Sequence, residues 1–167
     1  MADTTYLTGL FADRDSAERA YQRALDRGYT QHDLDVVMSD HTRMGQFADD
    51  DGQSTHSGTR AAEGAAIGAA VGPIGTALAA VGASIAVPGL GLVIAGPSAA
   101  ALSGAGGAAV GLAGALNGWQ VPGERIKLYE RGVAQGGILM GLRPRNEEDA
   151  IHLERQWRNA DGVDIYR

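Results

Sequence analysis

Residues 64–123 contain no Asp, Glu, Lys, Arg or His, and more than half of them are Gly or Ala. A chain carrying such a run must bury it against itself, against sister chains or in lipid, because nothing in it seeks water. Within the run, Ile67, Val71, Ile74, Leu78, Val81 and Ile85 recur at steps of four and three, the spacing of a heptad seam. One position further on lie Gly68, Gly72, Gly75, Ala79, Gly82 and Ala86, a stripe of small residues. Gly64, Gly68 and Gly72 form a repeated small-xxx-small motif, which lets another helix backbone come close. The second half repeats the pattern. Gly104, Gly107, Gly111, Gly114 and Gly118 make one stripe, and Leu102, Ala105, Ala109, Leu112, Leu116 and Trp119 make another. Pro88-Gly89-Leu90-Gly91 and Gly96-Pro97 mark a turn between them. The spacing predicts a helical hairpin over 61–119, with Pro73 kinking or restarting its first helix.

Each helix-interior Gly costs roughly 1 kcal/mol relative to Ala. So glycine-rich a hairpin is stable only if close packing offsets that cost. Gly64, Gly68, Gly72, Gly75, Gly82, Gly104, Gly107, Gly111, Gly114 and Gly118 are therefore expected to form an assembly interface. Membrane association is the alternative, since 61–87 and 97–119 both reach the roughly 20 residues a bilayer core needs. Large apolar residues are a minority in both arms and no basic cluster marks an orientation, which favours a homo-oligomer over lipid.

The flanks read as an ordinary α+β protein. YLTGLF at 6–11 is a strand. Asp15 with Glu18 resembles a capping box opening a helix on whose face Ala17, Ala20, Tyr21, Ala24 and Leu25 align, and Gly28 stops it. LDVVMS at 34–39 is a second strand, and a parallel pair with a helical crossover is the expected topology. Residues 40–60, with Asp49-Asp50-Asp51-Gly52, read as a polar loop. After the segment, Pro122 opens a helix to about Glu130, Gly132 ends it, and 136–142 is a strand. Asn146 caps a helix whose first turn carries Glu147, Glu148 and Asp149. Gly162 ends that helix, and 163–166 is the last strand. Strand–helix–strand thus occurs twice, the ferredoxin-like split βαβ arrangement. The expected organisation is a first βαβ half at 1–39, a loop at 40–60, the inserted hairpin at 61–119, and a helix plus second half at 120–167. The outer parts form one composite domain.

YLTGLFADRDSAERAYQRALDRGYTQHDLDVVMSD, then the Gly/Ala-rich stretch, then VPGERIKLYERGVAQGGILMGL, resembles bacterial general-stress (heat-induced stress) protein domains. The resemblance implies a stress-associated bacterial protein. It carries over no catalytic residue.

Candidate chemistry is sparse. Gly104-x-Gly106-x-x-Ala109 matches a loose dinucleotide fingerprint, with Glu124 near the acidic position, but its context reads as mid-helix and its glycines continue a packing stripe. His41, His56 and Asp49–Asp51 lack metal-site spacing and read as solvated loop. His32 and His152 are isolated, and Arg143-Pro144-Arg145 is too small a basic spot for nucleic acid. Tyr21 and Tyr29 read as core and strand-edge packing. Net charge is −6, which gives no general attraction to nucleic acid or anionic lipid. The absence of Cys excludes thiolate chemistry and suits a reducing cytosol. Residues 1–11 show no signal-peptide pattern. The expectation is a cytoplasmic, non-enzymatic, cofactor-free protein that self-assembles through glycine-zipper hairpins. Membrane insertion of the hairpin, or a small-molecule or metal-sensing role, are the alternatives.

Overall fold

The computed structural model describes residues 6–47, 72–79, 84–87, 91–99 and 111–167. In chain order the elements are β1 (Leu7–Phe11), α1 (Arg14–Asp26), β2 (Leu34–Ser39), α2 (Asp40–Gln46), α3 (Pro73–Ala79), β3 (Ser84–Val87) and β4 (Leu92–Ala95). They continue with α4 (Gly111–Asn117), α5 (Gly123–Ala134), β5 (Ile138–Leu142), α6 (Glu147–Asn159) and β6 (Val163–Tyr166). The strands form one antiparallel sheet in the order β3-β4-β2-β5-β1-β6.

β1 and β2 do run the same way, but they are not neighbours. β5 lies between them, and Leu142 pairs with Leu7 on one side and Leu34 on the other. Their parallel course is the expected one, and β5, the first strand of the second half, bridges them through two antiparallel ladders.

The middle segment departs further from expectation. Among the described residues, 61–87 is helical only from Pro73 to Ala79, and Ser84–Val87 is a strand. β3 and β4 extend the sheet beyond β2, with Ile85 opposite Ile94 and Val37 opposite Ile94 on the other side. Ile, Val and Ala at 84–87 and 92–95 can serve a heptad seam or a buried strand, and the open ladder of β2 decides for the strand. No described helix is long and apolar enough to cross a membrane.

The sheet is covered on both faces. Leu7 and Phe11, Leu34, Val36 and Met38, and Ile138, Met140 and Leu142 point to one face. There they meet Ala17, Ala20, Tyr21 and Ala24 of α1, Ile74 and Leu78 of α3, and Leu153 and Trp157 of α6. Leu10, Val37, Ile94 and Leu139 point to the other face, against Leu112 and Leu116 of α4, Trp119, and Tyr129 and Val133 of α5. β1 and β5 are accordingly buried at every position. Each face carries one tryptophan seated on a strand glycine. A Cβ at Gly9 would lie 3.1 Å from the Trp157 ring, and one at Gly141 would lie 2.6 Å from the Trp119 ring.

Helix boundaries follow local chemistry with small shifts. Asp13, not Asp15, caps α1, accepting from the Ser16 N–H at 2.8 Å. Glu18 is thereby freed from the capping box. Gly28 stops α1 in the left-handed region (φ 91°), as expected. Residues 40–46, read as loop, form α2, capped by Ser39. α5 runs through Gly132, where a Cβ would collide with Leu10, and the turn falls at Gly136 (φ 99°). Asn146 caps α6, as expected.

Candidate functional site

The expected assembly glycines that are described lie on two different faces of the sheet. Gly64, Gly68, Gly82, Gly104 and Gly107 lie outside the described residues, as do the fingerprint Gly106 and Ala109 and the loop residues 49–51 and His56. Gly72 and Gly75 belong to the α3 side of the sheet, and Gly111 and Gly114 to α4 on the opposite face. α3 and α4, the described helices of the expected hairpin, thus lie on opposite faces of the sheet. Gly72 sits against the Glu18 carboxylate, where a side chain would have no room. Gly118, in the turn after α4, is exposed with nothing within 4 Å of a Cβ position.

The most unusual chemistry is one the sequence reading passed over. Asp35 is the second residue of β2, among Leu34, Val36 and Val37, and its side chain points to the α4–α5 face. It is 0% exposed. Its Oδ1 accepts the backbone N–H of Ser98 at 2.7 Å, while its Oδ2 is buried with no hydrogen-bond partner. Burial pushes the carboxyl up to about 6, against the opposing effect of the Ser98 hydrogen bond. A single charged residue in an otherwise apolar strand was the signal available in LDVVMS.

Ser98 is brought there by Gly96. That residue adopts φ 111°, and a Cβ on it would collide with the Leu34 carbonyl oxygen and lie 2.8 Å from Asp35 Oδ1. Only glycine lets the chain turn this close to β2. The Ser98 hydroxyl in turn accepts the Trp119 indole N–H at 2.8 Å. The indole lies over Gly141, the residue paired with Asp35 in the sheet. Tyr6 stacks on the same indole, with ring centroids 5.4 Å apart and planes 4° apart, and the Arg143 guanidinium lies 5.3 Å from the Tyr6 ring centroid. Burial raises the Tyr6 phenol, helped by the Asp35 charge and opposed by Arg143.

The polar stripe continues across the sheet. Thr8, the other neighbour of Gly141, is 0% exposed, and its hydroxyl lies 2.8 Å from the Tyr129 hydroxyl. Tyr129 donates to the Asp164 carbonyl at 2.8 Å. These groups satisfy one another and tie α5 to β6.

No protein-family model matches the chain, and neither a curated protein nor a solved structure matches it. The site is therefore read from its own geometry. Among the described residues, no group of three or more His, Asp or Glu side chains gathers as a metal would require. Asp35 has one oxygen bonded to the Ser98 N–H and the other buried without a hydrogen-bond partner, so the contact it makes is to the chain itself.

The opposite face has a comparable tie. The Glu18 carboxylate on α1 accepts the Ile74 N–H at 2.9 Å and sits beside Arg14 at 3.7 Å. At the far end of α1, Asp149 joins three elements. Tyr29 donates to it at 2.8 Å, Arg27 Nε donates at 2.8 Å, and the Arg145 backbone N–H donates to the Tyr29 hydroxyl at 2.9 Å.

Proposed function

We propose that this is a non-enzymatic, stress-associated protein that self-associates through its Gly/Ala-rich segment, on a ferredoxin-like core. The strand order β2-β5-β1-β6, with α1 following β1 and α6 following β5, supports the ferredoxin-like reading of the four outer strands. The resemblance to general-stress domains supplies the stress association. The full burial of Asp35 beneath Ser98 and Trp119 favours a structural over a catalytic role for the one unusual acid.

The observation that carries self-association is the edge formed by β3. Ser-Ile-Ala-Val is uncharged, free of proline, and in unbroken register with β4. Among the described residues, β4 is its one strand neighbour. Among the described residues no strand pairs with the outer row of backbone donors and acceptors of β3, and a second copy can satisfy such a row by antiparallel pairing. The other edge is blunted. β6 pairs with β1 through a register shift between Thr8 and Leu10, Asp164 adopts φ 51°, and its carbonyl is already taken by Tyr129.

Light scattering of the full chain in detergent-free buffer tests this. A homo-oligomer is expected, and a monomer at micromolar concentration overturns the reading. Ile85→Pro and Ala86→Pro refine it. In an antiparallel edge strand, successive residues turn their N–H groups alternately inward and outward. One variant should therefore dissociate the assembly while leaving the melting temperature of the subunit nearly unchanged, and the other should damage the β3–β4 ladder. Two variants that both stay assembled would exclude the β3 edge.

A further inference from the structure

Ser98, just after β4, is bonded to the Asp35 carboxylate, and Trp119, shortly before α5, is bonded to Ser98. Gly96 lies against the β2 backbone and Ser98 donates its N–H to Asp35. Trp119 donates its indole N–H to the hydroxyl of the same Ser98 and covers Gly141 beside Asp35. The carboxylate is wholly enclosed, and half of it has no partner. The groups that face it offer no compensating cation. Tyr6 approaches from the start of β1, the Asp35 charge is felt by Tyr21 of α1, and β5 contributes Gly141. Tyr129 on α5 is committed to Thr8 and Asp164. Among the described residues, the cation nearest this cluster, Arg143, lies over the Tyr6 ring.

We propose that Asp35 is a proton-operated latch on the 96–99 turn: neutral, it holds Ser98, and through Ser98 Trp119, against the sheet, and ionised, it releases them. In the neutral acid, Oδ1 keeps the Ser98 bond as a carbonyl oxygen and Oδ2 carries the proton. After ionisation, one bond from Ser98 does not offset the loss of water around a buried charge. The charge is then better placed with the 96–99 turn lifted and water admitted. The upward displacement of the carboxyl, to about 6, puts the switch within reach of mild acidification. Acid conditions close the latch and neutral conditions loosen it. The effect lies within one chain, so it holds whatever the oligomeric state.

Amide hydrogen exchange on the full chain tests the latch, with peptides covering Ser98 and Trp119 followed from about pH 5 to about pH 8 and corrected for the intrinsic exchange rate. Protection in both peptides should fall together by about tenfold or more as pH rises, while peptides from β1 and β5 stay unchanged. Asp35→Asn, which keeps an acceptor for Ser98 and cannot ionise, should stay protected throughout. Flat protection in the wild-type chain, or an Asn variant that loses protection in parallel, overturns the proposal. If the Asn variant does not fold, carbon-13 titration of the Asp35 carboxyl in the wild-type chain decides. A midpoint at the ordinary value of about 3.9 overturns the latch.

Discussion

The Glu18 carboxylate on α1 accepts the Ile74 N–H of α3 at 2.9 Å, with Gly72 fitted against the same group. A side chain that sequence spacing assigns to its own helix is used to anchor the start of another helix 56 residues away. It joins the Gly/Ala-rich segment to the charged first half of the chain. Glu18→Ala removes this cap and should cost about 1–2 kcal/mol in urea unfolding. Glu18→Gln, which keeps one acceptor oxygen, should recover part of the loss. Equal losses in both variants would show that the ion pair with Arg14 matters more than the cap.

The Asp35 carboxyl gives a stability prediction of definite sign. Its folded value of about 6 lies above the ordinary 3.8, so the folded state holds the proton more tightly than the unfolded chain. The contribution is fully present below the ordinary value and is lost as pH rises through about 6. At neutral pH, Asp35→Asn should therefore be the more stable protein, by about 2–3 kcal/mol. The difference should shrink toward zero in acid, as denaturant midpoints at several pH values would show.

Asp149 has the opposite sign. The Tyr29 hydroxyl holds its carboxyl below the ordinary range, against the opposing effect of burial, with Arg27 and then Arg145 adding to the lowering. Its contribution is present above the ordinary value and is lost as pH falls through the depressed one. Tyr29→Phe should cost about 1–2 kcal/mol at neutral pH and move the acid-unfolding midpoint upward. An unchanged acid limb would show that Arg27 alone sets the Asp149 titration.

Gly141 and Gly118 make a controlled pair. A Cβ at Gly141 would sit 2.6 Å from the Trp119 ring, which is held by Ser98 on its N–H and by Tyr6 on its face. The ring cannot yield without breaking one of these, so Gly141→Ala should cost about 1–3 kcal/mol. Gly118 meets nothing within 4 Å, so Gly118→Ala should be neutral within about 0.5 kcal/mol. Thermal unfolding of the two variants distinguishes buried contact from free surface.

What the sequence by itself determined is local. Gly28 stops α1 and Asn146 caps α6 because a left-handed C′ position and an orphan helix N–H are satisfied within a few residues. The strands 7–11, 34–39, 138–142 and 163–166 were legible from short apolar runs between turn residues. The buried faces of Ala17, Ala20, Tyr21 and Ala24, and of Leu112, Leu116 and Trp119, were legible from their spacing.

The tertiary structure decided what depends on partners distant in the chain. Ser84–Val87 and Leu92–Ala95 have residues that fit a seam or a strand, and β2 needed a ladder partner. β5 entered between β1 and β2 because hydrogen-bonding edges, not sequence order, set the order of strands. α3 and α4 went to opposite faces because a two-sided sheet had two apolar surfaces to cover. Asp35 became notable only when Ser98, 63 residues away, closed over it and left one oxygen of a buried acid without a partner.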